Sequence, residues 1–179
     1  MGTKTMLTPE DLLALPEADG ARYELREGEL VKVGTAHMRH ERIKRRILKR
    51  FFAYEEQHPR AGEVYAESLF KLSSDTARMP DAAFVGAAKA ALLSDGEGLI
   101  PVVPDIAVEV ISESENAADA ETKVREYLAA GVSEVWQFYA RERFVRVRTS
   151  SGSRDLSGDD RLETPMMPGF SAPVSSFFA

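Results

Sequence analysis

The chain contains no cysteine, which excludes both a disulfide scaffold and a thiolate metal site. No apolar run approaches the roughly 20 residues that a membrane helix needs, and Met1 to Pro9 lacks the apolar segment of a secretory signal. A cytoplasmic protein that does not enter the membrane is therefore expected. There is no glycine-rich phosphate loop of the nucleotide-binding kind, no internal repeat, no low-complexity stretch and no linker. The 179 residues are accordingly read as one domain, 1–179, long enough to bury a core.

What is present is ordinary in amount and uneven in placement. Hydrophobic residues make up 44% and charged residues 29%, typical of a globular protein. The net charge of −6 argues against a protein that coats nucleic acid indiscriminately. Yet residues 39–50 hold Arg39, Arg42, Lys44, Arg45, Arg46, Lys49 and Arg50 against Glu41 alone. That short stretch carries +6, so the remainder carries −12, and local contact with a polyanion stays open. Taken by itself, the run also reads as a solvated helix face.

The most informative stretch is Pro104-Asp105-Ile106-Ala107-Val108-Glu109-Val110-Ile111-Ser112. Its aliphatic density predicts a buried strand. Alternation sets Asp105, Ala107, Glu109 and Ile111 on one face and Ile106, Val108 and Val110 on the other. An unpaired carboxylate at Glu109 would be costly in such a strand, so a cation should face it. A metal ion or a lysine would serve, and Lys123 follows closely.

Along the chain, Thr8-Pro9-Glu10-Asp11 is a helix start, and that short helix ends before Pro16. Residues 22–25 and 29–33 flank Gly28 as a β-hairpin, with Glu24 read on its own as a solvated position. A helix is expected from His37 to His58, with Ile43, Ile47, Leu48 and Phe51 inward. Strands are expected over 63–72 and 79–85, the second opening on Pro80-Asp81. A helix over 114–130 should bury Val124, Tyr127 and Leu128, end at Gly131, and pair Asp119 with Lys123 on its surface. Two further strands, 135–139 and 144–148, form a hairpin around Arg141-Glu142. Residues 149–160 read as a loop, and the apolar tail from Met166 to Phe178 should pack down or meet a partner.

Asp81 and Glu109 thus lie on separate strands. If those strands are neighbours, the two acids and the Val110 carbonyl can hold a hard divalent cation such as Mg²⁺ or Mn²⁺. Such an ion can acidify water and polarise a phosphoryl oxygen, with a lysine offsetting charge that develops on phosphorus. Phosphodiester hydrolysis suits this set.

The order of motifs carries a resemblance. Arg22 to Leu30, Pro80-Asp81, Pro104 to Val110, then Ser112, Ser114, Asp119, Lys123, Tyr127, Gly131-Val132, Glu134-Val135-Trp136 and Pro168-Gly169-Phe170 resemble bacterial restriction-endonuclease-like proteins of the Uma-two type, within the PD-(D/E)XK nuclease superfamily. The resemblance spans nearly the whole chain. It implies a restriction-endonuclease-like α/β fold, a mixed central sheet flanked by helices with an N-terminal helix and β-hairpin. It also implies a metal-dependent DNA endonuclease with Asp81 and Glu109 as ligands, and Lys123 replacing the superfamily lysine, whose usual place is taken by Ile111. Glu24 matches the hairpin acid and would complete the outer shell of the ion. Asp105 matches too, although a strand-start aspartate can simply bind amides. His40, Arg39, Arg42 and Arg46 are candidate phosphate contacts, and two copies would let a homodimer cut both strands. The family often has proline where Glu113 stands and an aspartate near Tyr139, two departures outside the presumed ligands. A non-catalytic nucleic-acid-binding scaffold retaining the fold, and a hydrolase of small nucleotides, are the competing readings.

Overall fold

A short helix, α1 (Pro9–Leu13), opens the fold, its first turn closed reciprocally. Asp11 N–H donates to Thr8 Oγ1 at 3.2 Å, and Thr8 N–H donates to Asp11 Oδ2 at 2.8 Å. In this computed structural model of the protein, the residues described are 6–15, 21–34, 37–94, 96, 98–112 and 116–179. Pro16, the expected stop of the first helix, Glu113, and Ser114, the expected start of the helix over 114–130, lie outside them.

Strands β1 (Tyr23–Arg26) and β2 (Glu29–Lys32) form the expected hairpin. Its two-residue turn has Glu27 at φ 47° and Gly28 at φ 75°, the primed geometry that matches strand twist. Helix α2 (Met38–Gln57) buries Ile43, Ile47, Phe51 and Tyr54 at helical spacing. These side chains meet the tail: Met167, Phe170, Val174 and Phe177 join the same core as Phe84, Ile106, Val108 and Trp136. Each such side chain contributes about 1.5–3 kcal/mol by leaving water.

The chain then runs through β3 (Gly62–Ala66), β4 (Leu69–Lys71), β5 (Ala77–Arg78), β6 (Ala82–Gly86), α3 (Ala87–Ala90), β7 (Leu99–Ile100), β8 (Ile106–Ile111) and α4 (Ala117–Ala130). It finishes with β9 (Glu134–Tyr139), β10 (Phe144–Thr149), β11 (Gly152–Ser157), β12 (Arg161–Glu163), β13 (Ser171–Pro173) and a 3₁₀ turn at Val174–Phe177. The strands make a six-stranded sheet in the order β11-β10-β9-β8-β6-β3, a five-stranded sheet in the order β2-β1-β5-β4-β7, and the pair β12-β13. Both large sheets are mixed, since β8 pairs β9 and β4 pairs β7 in parallel. In the larger one, α2 covers the Ile106, Val108 and Val110 face, while α4 covers Ala107 and Val135 through Val124 and Tyr127. The expected α/β class, a mixed sheet flanked by helices behind an N-terminal helix and hairpin, is the one found.

Three expectations about strands need correction. The run 63–72 is two strands in different sheets, broken where Glu67 takes φ 46° and meets Arg22 at 3.0 Å and Lys44 at 2.8 Å. The run 79–85 begins only at Ala82, because Met79-Pro80-Asp81 carries the chain from the small sheet to the large one. Residues 149–160 are not all loop: β11 pairs β10 along its length. Its residues are mostly exposed and polar, so no apolar alternation marks it, and a two-point contact from Arg146 to Asp155 (both 2.7 Å) supports it instead.

Candidate active site

Asp81 and Glu109 come together because β6 and β8 are antiparallel neighbours, with Ala82 opposite Val108. Asp81 N–H still joins the ladder, donating to the Val108 carbonyl at 3.0 Å. One step further the register would oppose Pro80 to Val110. Proline has no N–H to offer the Val110 carbonyl, and the Val110 N–H donates to Asp81 Oδ2 at 2.7 Å. In a strand, the N–H and C=O of one residue face the same edge, so the Val110 carbonyl addresses the same edge as Asp81. Continuing the alternation of β6 puts Asp81 on the Ala83 side, the side Glu109 takes on β8.

Glu109 is buried. Its Oε1 accepts from the Tyr127 hydroxyl at 2.8 Å, and its Oε2 lies 3.4 Å from Lys123 Nζ. Burial pushes its pKa up to about 7, and the charges of Asp81 and Glu24 push the same way against Lys123 and Tyr127. Burial also holds the Tyr127 hydroxyl well above its ordinary range, so it remains a donor. Tyr127 is one helical turn beyond Lys123 on α4, a spacing that places both over the same carboxylate.

Glu24 is not the solvated hairpin residue expected from the sequence; it is 2% exposed. Its Oε2 accepts from Arg78 at 2.8 Å, while its Oε1 accepts from Met79 N–H at 3.0 Å and lies 3.6 Å from Lys123 Nζ. Arg78, equally buried, also reaches Glu126 at 2.6 Å. Lys123 therefore stands between two acids, Glu24 and Glu109, while Asp119 pairs with Arg26 at 3.1 Å. The surface pair expected between Asp119 and Lys123 gives way to these inward and cross-element contacts.

From the other side of the sheet, α2 brings His40, whose Nε2 is 3.2 Å from Asp81 Oδ2. Burial works against the charged imidazole, but the Asp81 hydrogen bond and charge outweigh it and raise the His40 pKa. Arg39 and Arg42 are exposed and Arg46 half-buried on the same helix. Lys44 departs from the picture of a wholly solvated basic face: it is buried, bound by Glu41 at 2.7 Å and Glu67 at 2.8 Å. Arg50 lies over the Phe177 ring at 4.6 Å.

Asp105 does not belong to this cluster. It sits just before β8, at the end opposite Glu109, where Oδ2 accepts from Gly86 N–H at 2.7 Å and Oδ1 meets Lys89 at 2.7 Å. The strand-start alternative, binding a backbone amide, is the correct one for it.

Asp81, Glu109, Val110, Glu24, Lys123 and His40 line one cavity of about 360 Å³. Two carboxylates and a carbonyl form an all-oxygen donor set that leaves room for water, the coordination a small hard cation prefers. Asp81 and Glu109 face that space together, and the charge of Asp81 adds to the upward push on Glu109. Among the described residues, no group of three or more His, Cys, Asp or Glu side chains forms a closed metal cluster. The set fits a partly hydrated ion and not a structural one.

Sequence reasoning missed Arg78 and the Tyr127 hydroxyl. Tyr127 was readable only as an inward apolar residue, although its spacing from Lys123 was a usable signal; Arg78 had none, because its partners are distant in sequence.

Comparison with known proteins gives the chain a family and a fold. Residues 9–175 match the model of the Uma2 family, described as "Putative restriction endonuclease". A crystal structure described as a putative nuclease belonging to DUF820 from Anabaena variabilis superposes with a TM-score of 0.83 at 17% identity, covering 96% of this chain and 97% of that one. At that identity the likeness is one of fold. No curated protein matches the chain.

Proposed function

Since the chain belongs to the Uma2 family of putative restriction endonucleases, we propose that it is a metal-dependent endonuclease that hydrolyses DNA phosphodiester bonds. The observation that supports this reading most is the meeting of Asp81 and Glu109 at the end of two adjacent strands, with Lys123 opposite. These two carboxylates, with the Val110 carbonyl, would hold Mg²⁺ or Mn²⁺. Such an ion, when bound, acidifies water and stabilises charge on the phosphoryl and leaving oxygens. Lys123 supplies positive charge beside Glu109 where negative charge grows on the phosphate. Glu24, held by Arg78 and Met79 N–H, would orient Lys123 from the outer shell of the ion. Arg39, Arg42 and Arg46 on α2 would contact backbone phosphates, which positions DNA without reading its sequence. Two copies in a symmetric dimer would address the two strands.

The test is nicking of supercoiled plasmid in Mg²⁺ and in Mn²⁺ by the parent chain, Asp81→Ala and Glu109→Ala. Nicking by the parent and its loss in both variants is expected, and equal nicking by all three removes the site assignment.

A second reading, a DNA-binding scaffold without catalysis, is favoured by Ile111 at the position of the superfamily lysine. Calorimetric titration separates the two, because the scaffold has no reason to bind Mn²⁺.

A further inference from the structure

Resting on the reading of Asp81 as a cation ligand, we propose that His40 is a positioning residue for Asp81, fixing which of its two oxygens is offered to the ion. Asp81 Oδ2 has two nitrogen contacts from different elements: Val110 N–H on β8, which donates to it at 2.7 Å, and His40 Nε2 on α2, which pairs with it at 3.2 Å. Two contacts on one oxygen, arriving from strand and helix, restrict the rotation of the carboxylate. Asp81 Oδ1 has no hydrogen-bond donor among the described residues. It is the oxygen left for the cavity that Asp81 and Glu109 line together.

The imidazole itself points to the same role. Its side chain is only 12% exposed, yet Nδ1 is buried without a hydrogen bond. Glu41 Oε1 lies 3.5 Å from it, without forming one. An orphaned buried nitrogen costs stability, a cost that the contact of the same ring with Asp81 must offset. What the ring does achieve is a bond from the first turn of the basic helix to a carboxylate at the end of the sheet. Partners of this kind hold metal-binding carboxylates in their working orientation, and their loss typically weakens metal binding by about 10–100-fold.

The experiment titrates Mn²⁺ by calorimetry into the parent chain, Asp81→Ala, His40→Ala and His40→Gln, with melting in EDTA as the check that each is folded. The glutamine amide can donate to Asp81 as Nε2–H does. His40→Ala should bind Mn²⁺ about 10–100-fold more weakly, while His40→Gln stays close to the parent. Should His40→Ala not fold, His40→Leu, which fills the space without a donor, takes its place. Parent-like affinity in His40→Ala, with binding lost in Asp81→Ala, overturns the inference and leaves the reading of Asp81 standing. Equal weakening in His40→Ala and His40→Gln also overturns it, because the donor would then be irrelevant. A parent chain that binds no Mn²⁺ removes the reading of Asp81, and this inference with it.

Discussion

The Tyr127 hydroxyl donates to Glu109 Oε1 over 2.8 Å, and Lys123, one turn earlier on α4, approaches Glu109 Oε2 at 3.4 Å. A single helix face therefore serves both oxygens of one buried acid. Replacing Tyr127 by phenylalanine keeps the ring and removes the donor. A buried carboxylate deprived of a partner costs about 1–3 kcal/mol. Tyr127→Phe should lose that much stability in urea denaturation at pH 8, and less at pH 5.5, where Glu109 is protonated.

The raised pKa of Glu109 has a definite sign in the stability profile. In the metal-free folded protein the group titrates at about 7, against an ordinary 4.5. Between those values the folded chain keeps a proton that the unfolded chain releases. Its contribution is complete below about pH 4.5 and disappears as pH rises through 7, an effect on the order of 3 kcal/mol. In EDTA, melting temperature should fall across that window for the parent, and the fall should be shallower for Glu109→Gln. Excess Mg²⁺ or Mn²⁺ favours the ionised acid and should flatten or reverse the trend in the parent only.

Arg78 is the charge that makes a buried Glu24 tolerable. It lies 2.8 Å from Glu24 and 2.6 Å from Glu126, and is itself 2% exposed. Removing one member of a buried ionic group strands the others, at about 3–5 kcal/mol. Arg78→Met should lose that much in denaturant unfolding, and adding Glu24→Gln to it should recover part of the loss. If the single variant is as stable as the parent, the network is not holding Glu24.

On α2, Arg42 is exposed, whereas Lys44 is locked between two acids. Under the proposed function, Arg42→Ala should weaken DNA binding about equally for every sequence and reduce the slope of log affinity against log salt by about 1. Lys44→Met should leave that slope unchanged. Fluorescence anisotropy at several salt concentrations, with Ca²⁺ replacing Mg²⁺, distinguishes the two.

Elements with a strong local signature were legible in the sequence. The helix of residues 38–57, the hairpin turning at Glu27-Gly28, and the strand through Glu109 were all found within a residue or two. Where local pattern and tertiary placement diverged, legibility ended. Residues 63–72 alternate like one strand, but contacts from Arg22 and Lys44 bend the chain at Glu67 and divide it between two sheets. Within the site, acids flanked by apolar residues were conspicuous. Glu24 was readable as a candidate but not as buried, because its burial depends on Arg78, which is 54 residues away. Asp105 shows the reverse: a carboxylate just before the strand that carries Glu109, it is occupied with an amide and Lys89.

The tail that folds back over α2 makes the site answerable to chain ends far from it. Phe170, Val174 and Phe177 pack under Ile43, Ile47 and Phe51, and Arg50 reaches the Ser176 carbonyl. Clipping residues 166–179 would strip one flank of that helix and loosen the rod on which His40 is mounted. Loss of the last fourteen residues should therefore register as slack around Asp81 as well as in the central sheet, whose Trp136 and Phe138 rest on Phe170 and Phe177.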